Sequence, residues 1–192
     1  SYEVIIVDNN STDPKTLEFL NLYKNIVNIK VLYDKGDFNF SRLINLGVSA
    51  SKGDHLLILN DDTEIISTGW LSIMVSHSQR EDIGVVGCKL IYPNNKIQHI
   101  GVQINEQFEP YHPYTGFLHQ NSHGYFGRND LNSNYIAITG ACMMVKRKIF
   151  LKVNGFDENL KIAYNDVDFC LKVYFLSKRN LVVPEVVLMH YE

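Results

Sequence analysis

Aspartate residues stand close behind two of the apolar segments of this sequence. Asp8 ends the run at residues 4–7, and the adjacent pair Asp61 and Asp62 follows the run at residues 56–59. A divalent cation that also binds phosphate takes oxygen ligands and leaves part of its coordination shell to phosphate oxygens and water. One or two aspartates at the end of a rigid strand meet that need. The pattern therefore predicts metal-assisted chemistry on a phosphorylated ligand.

A second acidic pair, Asp166 and Asp168, stands at the head of the last predicted helix. Asp166 fits either a catalytic base or an N-cap, because aspartate at a helix start accepts hydrogen bonds from unpaired backbone N–H groups. The two roles are compatible. Asp61 and Asp62 also fit a simple turn or cap, but two adjacent carboxylates repel each other unless a cation or water lies between them. For both pairs we favour a functional role over a purely structural one.

The segments around these aspartates alternate between strands and helices. In the first half, apolar runs and helical periodicity predict strands at residues 4–7, 29–33, 56–59 and 83–88, and helices starting at Asp13-Pro14 and covering 41–51 and 68–79. The order strand, polar loop, helix, strand indicates an α/β fold. In such folds ligands bind beyond the carboxyl ends of the strands, where these aspartates lie.

The second half of the chain has a different pattern. We predict a hairpin from residues 89–92 and 97–104, a strand at 136–146 interrupted at Gly140, a helix at 163–177, and an edge-like strand at 181–189 around Pro184. Residues 105–134 show no periodicity, and a loop of that length is usually functional or mobile. We interpret residues 1–192 as a single domain, whose halves are residues 1–88 and 89–192.

The long loop, residues 105–134, is rich in aromatic and histidine side chains and poor in aliphatic ones. Five of its aromatic residues are candidates for a shared role: Tyr111, Tyr114, Phe117, Tyr125 and Phe126. They fit either stacking surfaces for a sugar or a small core of the loop's own, and we favour the core. The histidines of the hairpin and loop are interpreted as surface or acceptor-side residues; they are His99, His112, His119 and His123.

Composition narrows the class of protein. The net charge of −3 provides no basic field, so a nucleic-acid partner is not expected. The three cysteines are far apart and lack the spacing of a zinc site, which favours a reducing compartment. No apolar run approaches the roughly 20 residues that cross a bilayer, and no signal peptide opens the chain. We therefore expect a cytoplasmic protein, with association at the inner face of the membrane as a further expectation.

The sequence also resembles the family 2 glycosyltransferases, inverting enzymes of the glycosyltransferase A fold, over nearly its whole length. The motifs that carry the resemblance occur in order: EVIIVDNNSTD at residues 3–13, FNFS at 38–41, ASKG at 50–53, LNDDTE at 59–64, TGACMMVKR at 139–147, NGFDE at 154–158, NDVD at 165–168 and HYE at 190–192. The resemblance is strongest to bacterial transferases that build surface polysaccharides, including rhamnosyl-type enzymes.

The resemblance implies a role for each matching residue. The implied set is Asp62 and His190 on Mn²⁺ or Mg²⁺; Asp8, Asn10, Asn45 and Asp61 around a UDP- or dTDP-linked sugar; Asp166 as general base; and Gly140, Ala141 and Asp168 on the side of a carbohydrate or lipid-linked saccharide acceptor. For His190, a hydrogen-bonded histidine at a strand end is an equally good interpretation. An inverting transfer needs one base, opposite the leaving diphosphate, to take the proton of the acceptor hydroxyl.

Two departures from the family pattern matter. Members of the family usually have one more strand before the run at residues 4–7, so another segment or a second copy of the chain would have to complete the sheet. Asn165 also stands where an acidic residue commonly precedes the base. A non-catalytic carbohydrate- or nucleotide-binding module, or an inactive fragment of such an enzyme, is therefore the rival hypothesis. A nucleotidyltransferase is less favoured because the chain has no Gly-rich basic phosphate loop.

Overall fold

The computed structural model describes all 192 residues, which form eleven strands, five α-helices and one short 3₁₀ helix. The strands are Val4–Asp8 (β1), Ile29–Tyr33 (β2), His55–Leu59 (β3), Thr63–Ile65 (β4), Ile83–Ile91 (β5), Ile97–His99 (β6), Gln103–Ile104 (β7), Pro110–Tyr111 (β8), Ser133–Tyr135 (β9), Cys142–Lys146 (β10) and Arg179–His190 (β11). The helices are Pro14–Tyr23 (α1), Phe40–Ala50 (α2), Trp70–Ser78 (α3), Arg147–Lys152 (α4) and Asn165–Tyr174 (α5), and the 3₁₀ helix is Tyr125–Gly127.

Capping side chains fix where the first two helices begin. Asp13 caps α1, because its Oδ2 accepts a hydrogen bond from the Thr16 amide at 2.9 Å, and Pro14 occupies the first turn, where its missing N–H costs nothing. Asn39 caps α2 by accepting from the Arg42 amide at 3.1 Å. The predicted elements of the first half are confirmed to within two residues at each end, except that β5 continues beyond Cys88 to Ile91.

The strands form one large mixed sheet and two small ones. β1 and β2 pair in parallel and make a two-stranded sheet of their own, as β7 and β8 do in antiparallel fashion. The large sheet has seven strands in the order β3-β10-β5-β11-β4, with β6 beside β5 and β9 beside β11. One core cluster contains side chains of α2, α4 and α5, and the other contains those of α3. The predicted α/β sheet flanked by helices is confirmed.

β11 lies inside the large sheet, which contradicts the prediction of an edge strand. It pairs in parallel with β5 and in antiparallel fashion with β4 and β9. The prediction relied on Pro184, which has no N–H for a ladder hydrogen bond. The pairing with β5 shifts register between Val183 and Val187, and Pro184 falls within that irregular stretch. A local break therefore accommodates the proline without placing the strand at an edge.

Two other predictions for the second half were wrong in extent. Residues 136–146 do not form one strand: only Cys142–Lys146 does, and Gly140 and Ala141 form a turn before it. The last helix is also shorter than residues 163–177, because Tyr164 at its start has a left-handed backbone with φ of 64° and Ser177 beyond its end has φ of 58°. This turn before β10 contacts Asp166 and the start of the acidic loop at Asn60.

The aromatic residues of the long loop do not form a core of their own. Phe117, Tyr125 and Phe126 are 73–87% exposed, so the core interpretation is wrong for them. Tyr111 is also exposed, and its hydroxyl donates to Gln103. Only Tyr114 packs against a core, and that core is the main one. The loop is therefore fastened to the body of the protein through few aromatic contacts.

The two-stranded sheet of β1 and β2 is not hydrogen-bonded to the seven-stranded sheet, in which β3 is an edge. The side chain of Glu3 connects them, accepting from the Gly53 amide at 2.9 Å just before β3. α2 packs beneath β1, and a Cβ on Gly47 would lie 3.2 Å from Val7 Cγ2. β1 and β3 therefore each keep an unpaired edge. No helix combines the length and the apolar character needed to cross a bilayer.

Candidate active site

The end of β11 brings a histidine onto the acidic loop that follows β3. His190 pairs with Thr63 in the antiparallel register of β11 and β4, and the next amide, of Tyr191, donates to the Asp62 carbonyl at 2.9 Å. This backbone bond fixes Asp62 beside the imidazole. His190 Nε2 and Asp62 Oδ1 lie 3.0 Å apart. The structure thus brings together the two residues that the sequence associated with a cation.

The hydrogen bond at Nδ1 of His190 leaves Nε2 as the ring nitrogen that faces Asp62. His190 Nδ1 lies 2.7 Å from Gln98 Oε1, and the amide of Gln98 is oriented by its own Nε2, which donates to Glu192 at 3.3 Å. Because Gln98 Oε1 can only accept, Nδ1 carries the hydrogen. In the neutral imidazole Nε2 then has a lone pair, and that lone pair faces the carboxylate of Asp62.

These two atoms are placed to bind one cation as neighbouring ligands. Asp62 Oδ1 and His190 Nε2 are both buried atoms without a hydrogen-bond partner. Their separation of 3.0 Å suits two ligands of one ion, since neighbouring ligand atoms of an octahedral shell with bonds of roughly 2.1 Å lie about 3.0 Å apart. The chain offers no group of three or more His, Cys, Asp or Glu side chains suited to a metal. A cation held here would therefore take further ligands from another molecule or water.

The turn at Gly140 and Ala141 connects this pair to the second acidic pair. The Asn60 amide donates to the Ala141 carbonyl at 2.9 Å, which holds the start of the acidic loop. The Gly140 amide donates to Asp166 Oδ2 at 3.0 Å, which holds the start of α5. The same short turn therefore contacts both the loop that contains Asp62 and the first turn of α5, which contains Asp166. Asp61, between Asn60 and Asp62, is exposed.

Asp166 is not the N-cap of its helix. The capping position belongs to Tyr164, whose side chain makes no cap hydrogen bond. Asp166 lies in the first turn, where Oδ1 accepts from the Val167 amide at 2.8 Å and Oδ2 accepts from Gly140. Each carboxylate oxygen keeps a second lone pair. These two backbone bonds orient the carboxylate without using up its capacity to accept a proton.

Asp8 and Asn10 lie on the other sheet, at the end of β1. Asp8 is buried, and its two carboxylate oxygens accept weakly from the Ser11 amide at 3.3 and 3.4 Å. Asn10 has a left-handed backbone with φ of 59°. Asn9, between them, donates to the Asp34 carbonyl at 3.1 Å and so ties this loop to the end of β2. Asp8 and Asn10 therefore lie at the end of a strand of the small sheet, whereas His190 ends a strand of the large one.

Two of the predicted site residues are engaged elsewhere. Asn45 on α2 holds the turn after α4: its Oδ1 accepts from the Phe156 amide at 3.0 Å and its Nδ2 donates to the Phe156 carbonyl at 2.9 Å and to Glu158. Asp168 forms an ion pair with Lys172, four residues along α5, at 2.6 Å. The structure therefore does not bring Asn45 or Asp168 to the other carboxylates.

Gln98, which orients His190, was missed as a site residue. His99 is 1% exposed, so its interpretation as a surface residue is wrong, and its interpretation as an acceptor-side residue stays a prediction. Burial, together with the nearby imidazoles of His112 and His190, holds the pKa of His99 well below its usual range. His112 contacts His99 from the long loop. No local pattern identifies Gln98, because its partner His190 lies 92 positions further along the sequence.

Comparison with known proteins decides the family. The model of glycosyl transferase family 2 matches residues 1–153. The chain belongs to glycosyl transferase family 2. Two curated relatives of this family 2 chain align with all of it: y4gI of Sinorhizobium fredii is 41% identical, and the O-antigen biosynthesis protein RfbC of Myxococcus xanthus is 31% identical. The chain spans only 21% and 15% of their lengths.

Solved structures agree on the fold. The structure of GalNAc-T7 with UDP, GalNAc and Mn²⁺ superposes with a TM-score of 0.76 at 14% identity, covering 99% of this chain and 38% of the other. The mannosyltransferase PcManGT from Pyrobaculum calidifontis, in complex with GDP-Man and Mn²⁺, gives 0.67 at 15% identity, covering 98% and 47%. TarS of S. aureus with UDP-GlcNAc gives 0.64 at 19%, covering 99% and 49%. The family 2 chain therefore has the glycosyltransferase A fold.

Proposed function

We propose that this chain is a catalytic domain that transfers a sugar from a nucleoside-diphosphate sugar to a hydroxyl of a saccharide acceptor. The observation that carries the proposal is that Asp62 Oδ1 and His190 Nε2, two buried atoms without a hydrogen-bond partner, lie 3.0 Å apart. In a family of glycosyltransferases, such a pair suits a divalent cation that also binds a diphosphate.

In this proposal Asp62 and His190 hold Mn²⁺ or Mg²⁺. The cation would neutralise the charge that develops on the diphosphate as it leaves. Asp61, exposed beside Asp62, would contact the ribose or the ion, and Asp8 and Asn10 would line the nucleobase side from the other sheet. Mn²⁺ in GalNAc-T7 and PcManGT, and the nucleotides bound to all three solved proteins, support this assignment. We propose UDP or dTDP as the nucleotide.

Asp166 is the proposed general base of an inverting transfer. The acceptor oxygen forms a bond to the anomeric carbon while the bond from that carbon to the diphosphate oxygen breaks, and Asp166 takes the hydroxyl proton. Its two backbone hydrogen bonds, from the Gly140 and Val167 amides, orient the carboxylate and leave each oxygen a lone pair for the proton. Attack from the face opposite the diphosphate would require this base to lie apart from the cation.

We also propose which acceptor the enzyme uses and where in the cell it acts. The 31% identity to an O-antigen biosynthesis protein supports a role in surface polysaccharide synthesis, with a saccharide, free or lipid-linked, as acceptor. Such an enzyme would work in the cytoplasm at the inner face of the membrane. The unpaired edges of β1 and β3 support a further strand, from outside residues 1–192 or from a second copy, that completes the sheet.

Changing Asp166 to Asn tests the proposal. Loss of a general base lowers the rate of transfer by about 10²- to 10⁴-fold, while metal-dependent binding of UDP, measured by calorimetry, stays unchanged. Asp168→Asn is the matched control, because Asp168 pairs with Lys172 on the same helix. Nucleotide-sugar turnover that survives in Asp166→Asn would overturn the base assignment. A wild-type protein that binds nucleotide without turnover would favour the rival binding module.

A further inference from the structure

The residue before the proposed base, Asn165, is buried although its side chain is polar. Asn165 is the first residue of α5 and is 4% exposed. Its Oδ1 accepts a hydrogen bond from the Asp166 amide at 2.8 Å, and its Nδ2 donates to the Leu160 carbonyl at 3.3 Å. Both ends of the side-chain amide are therefore paired, as the burial of a polar group requires.

The Leu160 carbonyl belongs to a segment, residues 158–161, that the start of α2 also holds. Ser41 Oγ donates to the same Leu160 carbonyl at 2.7 Å, and the Phe40 amide donates to the Lys161 carbonyl at 2.8 Å. Two elements that are far apart in the sequence thus grip one short segment from two sides. The first turn of α5 is connected to α2 through it.

Three hydrogen bonds together fix the position of Asp166. Its two carboxylate oxygens accept from the Val167 and Gly140 amides. The bond to Asn165 differs from these, because it holds the backbone amide of Asp166 itself. Tyr164, at the capping position, makes no side-chain bond to the helix start. Asn165 therefore pairs an amide that has no partner within the helix.

We propose that Asn165 is a positioning residue for Asp166. Its Oδ1 holds the backbone of the base, and its Nδ2 connects that backbone to the segment 158–161 and so to α2. A general base must point at the proton that it takes, and small displacements of a reacting group lower the rate strongly. Asn165 would not touch the acceptor and would act on the rate only through Asp166. This inference rests on the proposed function, in which Asp166 is the base.

A purely structural role for Asn165 is the competing explanation, and the second donor to Leu160 separates the two. Asn165→Ala removes the bonds to both Asp166 and Leu160. Ser41→Ala removes a bond to the same Leu160 carbonyl but none to Asp166, so it is the matched control. If Asn165 only fastens the segment 158–161, the two variants lower the rate alike. If Asn165 positions the base, only Asn165→Ala lowers it.

The test is a double-mutant cycle of Asn165→Ala and Asp166→Asn, measured as hydrolysis of UDP-glucose, UDP-galactose, UDP-N-acetylglucosamine and dTDP-rhamnose with Mn²⁺. Water replaces the acceptor: its oxygen bonds to the anomeric carbon, the bond from that carbon to the diphosphate breaks, and Asp166 takes the proton. We expect Asn165→Ala to lower kcat about 10- to 100-fold, with the KM of the nucleotide sugar unchanged. In the Asp166→Asn background it should have no further effect, because the base that it positions is gone.

Calorimetric binding of UDP with Mn²⁺ shows that each variant is folded. If Asn165→Ala does not bind UDP, Asn165→Asp replaces it, since Asp keeps an oxygen for the Asp166 amide and lacks only the donor to Leu160. We expect kcat of Asn165→Asp to stay within about threefold of wild type, and a loss of about 10-fold or more would overturn the inference.

Three further results would overturn it: wild-type kcat in Asn165→Ala, an equal loss in Ser41→Ala, or a loss in the Asp166→Asn background as large as in the wild-type background. If the wild type hydrolyses none of the four nucleotide sugars, or if Asp166→Asn hydrolyses them as the wild type does, the proposed function fails. If Asp166→Asn loses activity but the effects of the two substitutions multiply, only the present inference fails.

Discussion

Among single residues, the proposed cation site depends most on which ring nitrogen of His190 carries a hydrogen. Gln98 takes the Nδ1 hydrogen through a 2.7 Å contact, and this leaves Nε2 free to face Asp62. Partners of this kind orient a metal-binding histidine and raise its basicity. Gln98 therefore matters although it would not touch the ion. The pairing spans 92 positions in the sequence.

Changing Gln98 to Leu tests this positioning role. Without the Oε1 acceptor, the buried Nδ1–H of His190 loses its partner, and the ring loses its fixed orientation. We expect Mn²⁺ affinity in the presence of UDP to fall about 10- to 100-fold, measured by calorimetry. Gln98→Glu, which keeps an accepting oxygen, should retain most of the affinity. Equal loss in the Leu and Glu variants would contradict the role given to Gln98.

His99 makes a separate prediction about pH. Its folded pKa lies well below the ordinary value of 6.5, so below pH 6.5 the unfolded chain binds a proton that the folded chain does not. Stability contributed by His99 is therefore complete above that value and falls as the pH drops toward the folded pKa. The slope from this group is at most about 1.4 kcal/mol per pH unit.

Urea unfolding at pH 7 and pH 5 measures this effect. His99→Gln removes the titrating group, so the loss of unfolding free energy between the two pH values should be smaller in the variant than in the wild type. His119→Gln replaces an exposed histidine and serves as control. A pH dependence that is identical in wild type and His99→Gln would contradict the burial of a neutral imidazole at this position.

At the scale of elements, the turn before β10 positions both halves of the site. Its Ala141 carbonyl holds Asn60, and its Gly140 amide holds Asp166. Ile138, two residues earlier, is fully buried against β5, where a Cβ on Gly87 would lie 2.3 Å from its Cγ2. The close contact of Gly87 and Ile138 therefore supports the turn.

Gly87→Ala tests that support. The added methyl group cannot fit without displacing Ile138, and overpacking of this kind costs about 1–3 kcal/mol of unfolding free energy. Thermal and urea unfolding measure the cost, and nucleotide-sugar turnover should fall with it if the Gly140 turn moves. Ser72→Ala, an exposed position on α3, is the control. An unchanged midpoint in Gly87→Ala would show that the sheet absorbs the methyl group.

The sequence predicted these elements unevenly. Elements with strong local signals, such as α1 with its Asp13-Pro14 start, were predicted to within a few residues. The central place of β11 was missed because Pro184 indicates an edge, and only the shifted pairing with β5 reveals how a proline fits there. In the candidate site, the motifs predicted Asp62, Asp166 and His190. Gln98 was missed because its partner, His190, lies on a distant strand, and the burial of His99 was not predicted.

At the scale of the whole molecule, the predicted site residues divide between two sheets. Asp8 ends β1 of the small sheet and Asn10 follows it, whereas His190 ends β11 of the large sheet, Asp62 lies in the loop after β3 and Asp166 lies on α5. The sheets are connected through Glu3 and through the packing of α2, not by a backbone ladder. The chain also spans only 15% of the length of RfbC and 21% of the length of y4gI. The proposed donor site therefore depends on how these parts are held together.

Calorimetric titration with UDP, with and without Mn²⁺, tests whether Asp62 and His190 hold a cation that binds the nucleotide. We predict that UDP binding requires Mn²⁺. We also predict that it weakens at least about 100-fold in both Asp62→Asn and His190→Ala, while Asp168→Asn binds like wild type. UDP affinity that is the same without Mn²⁺, or that survives in the Asp62 and His190 variants, would contradict the assignment of a cation to this pair.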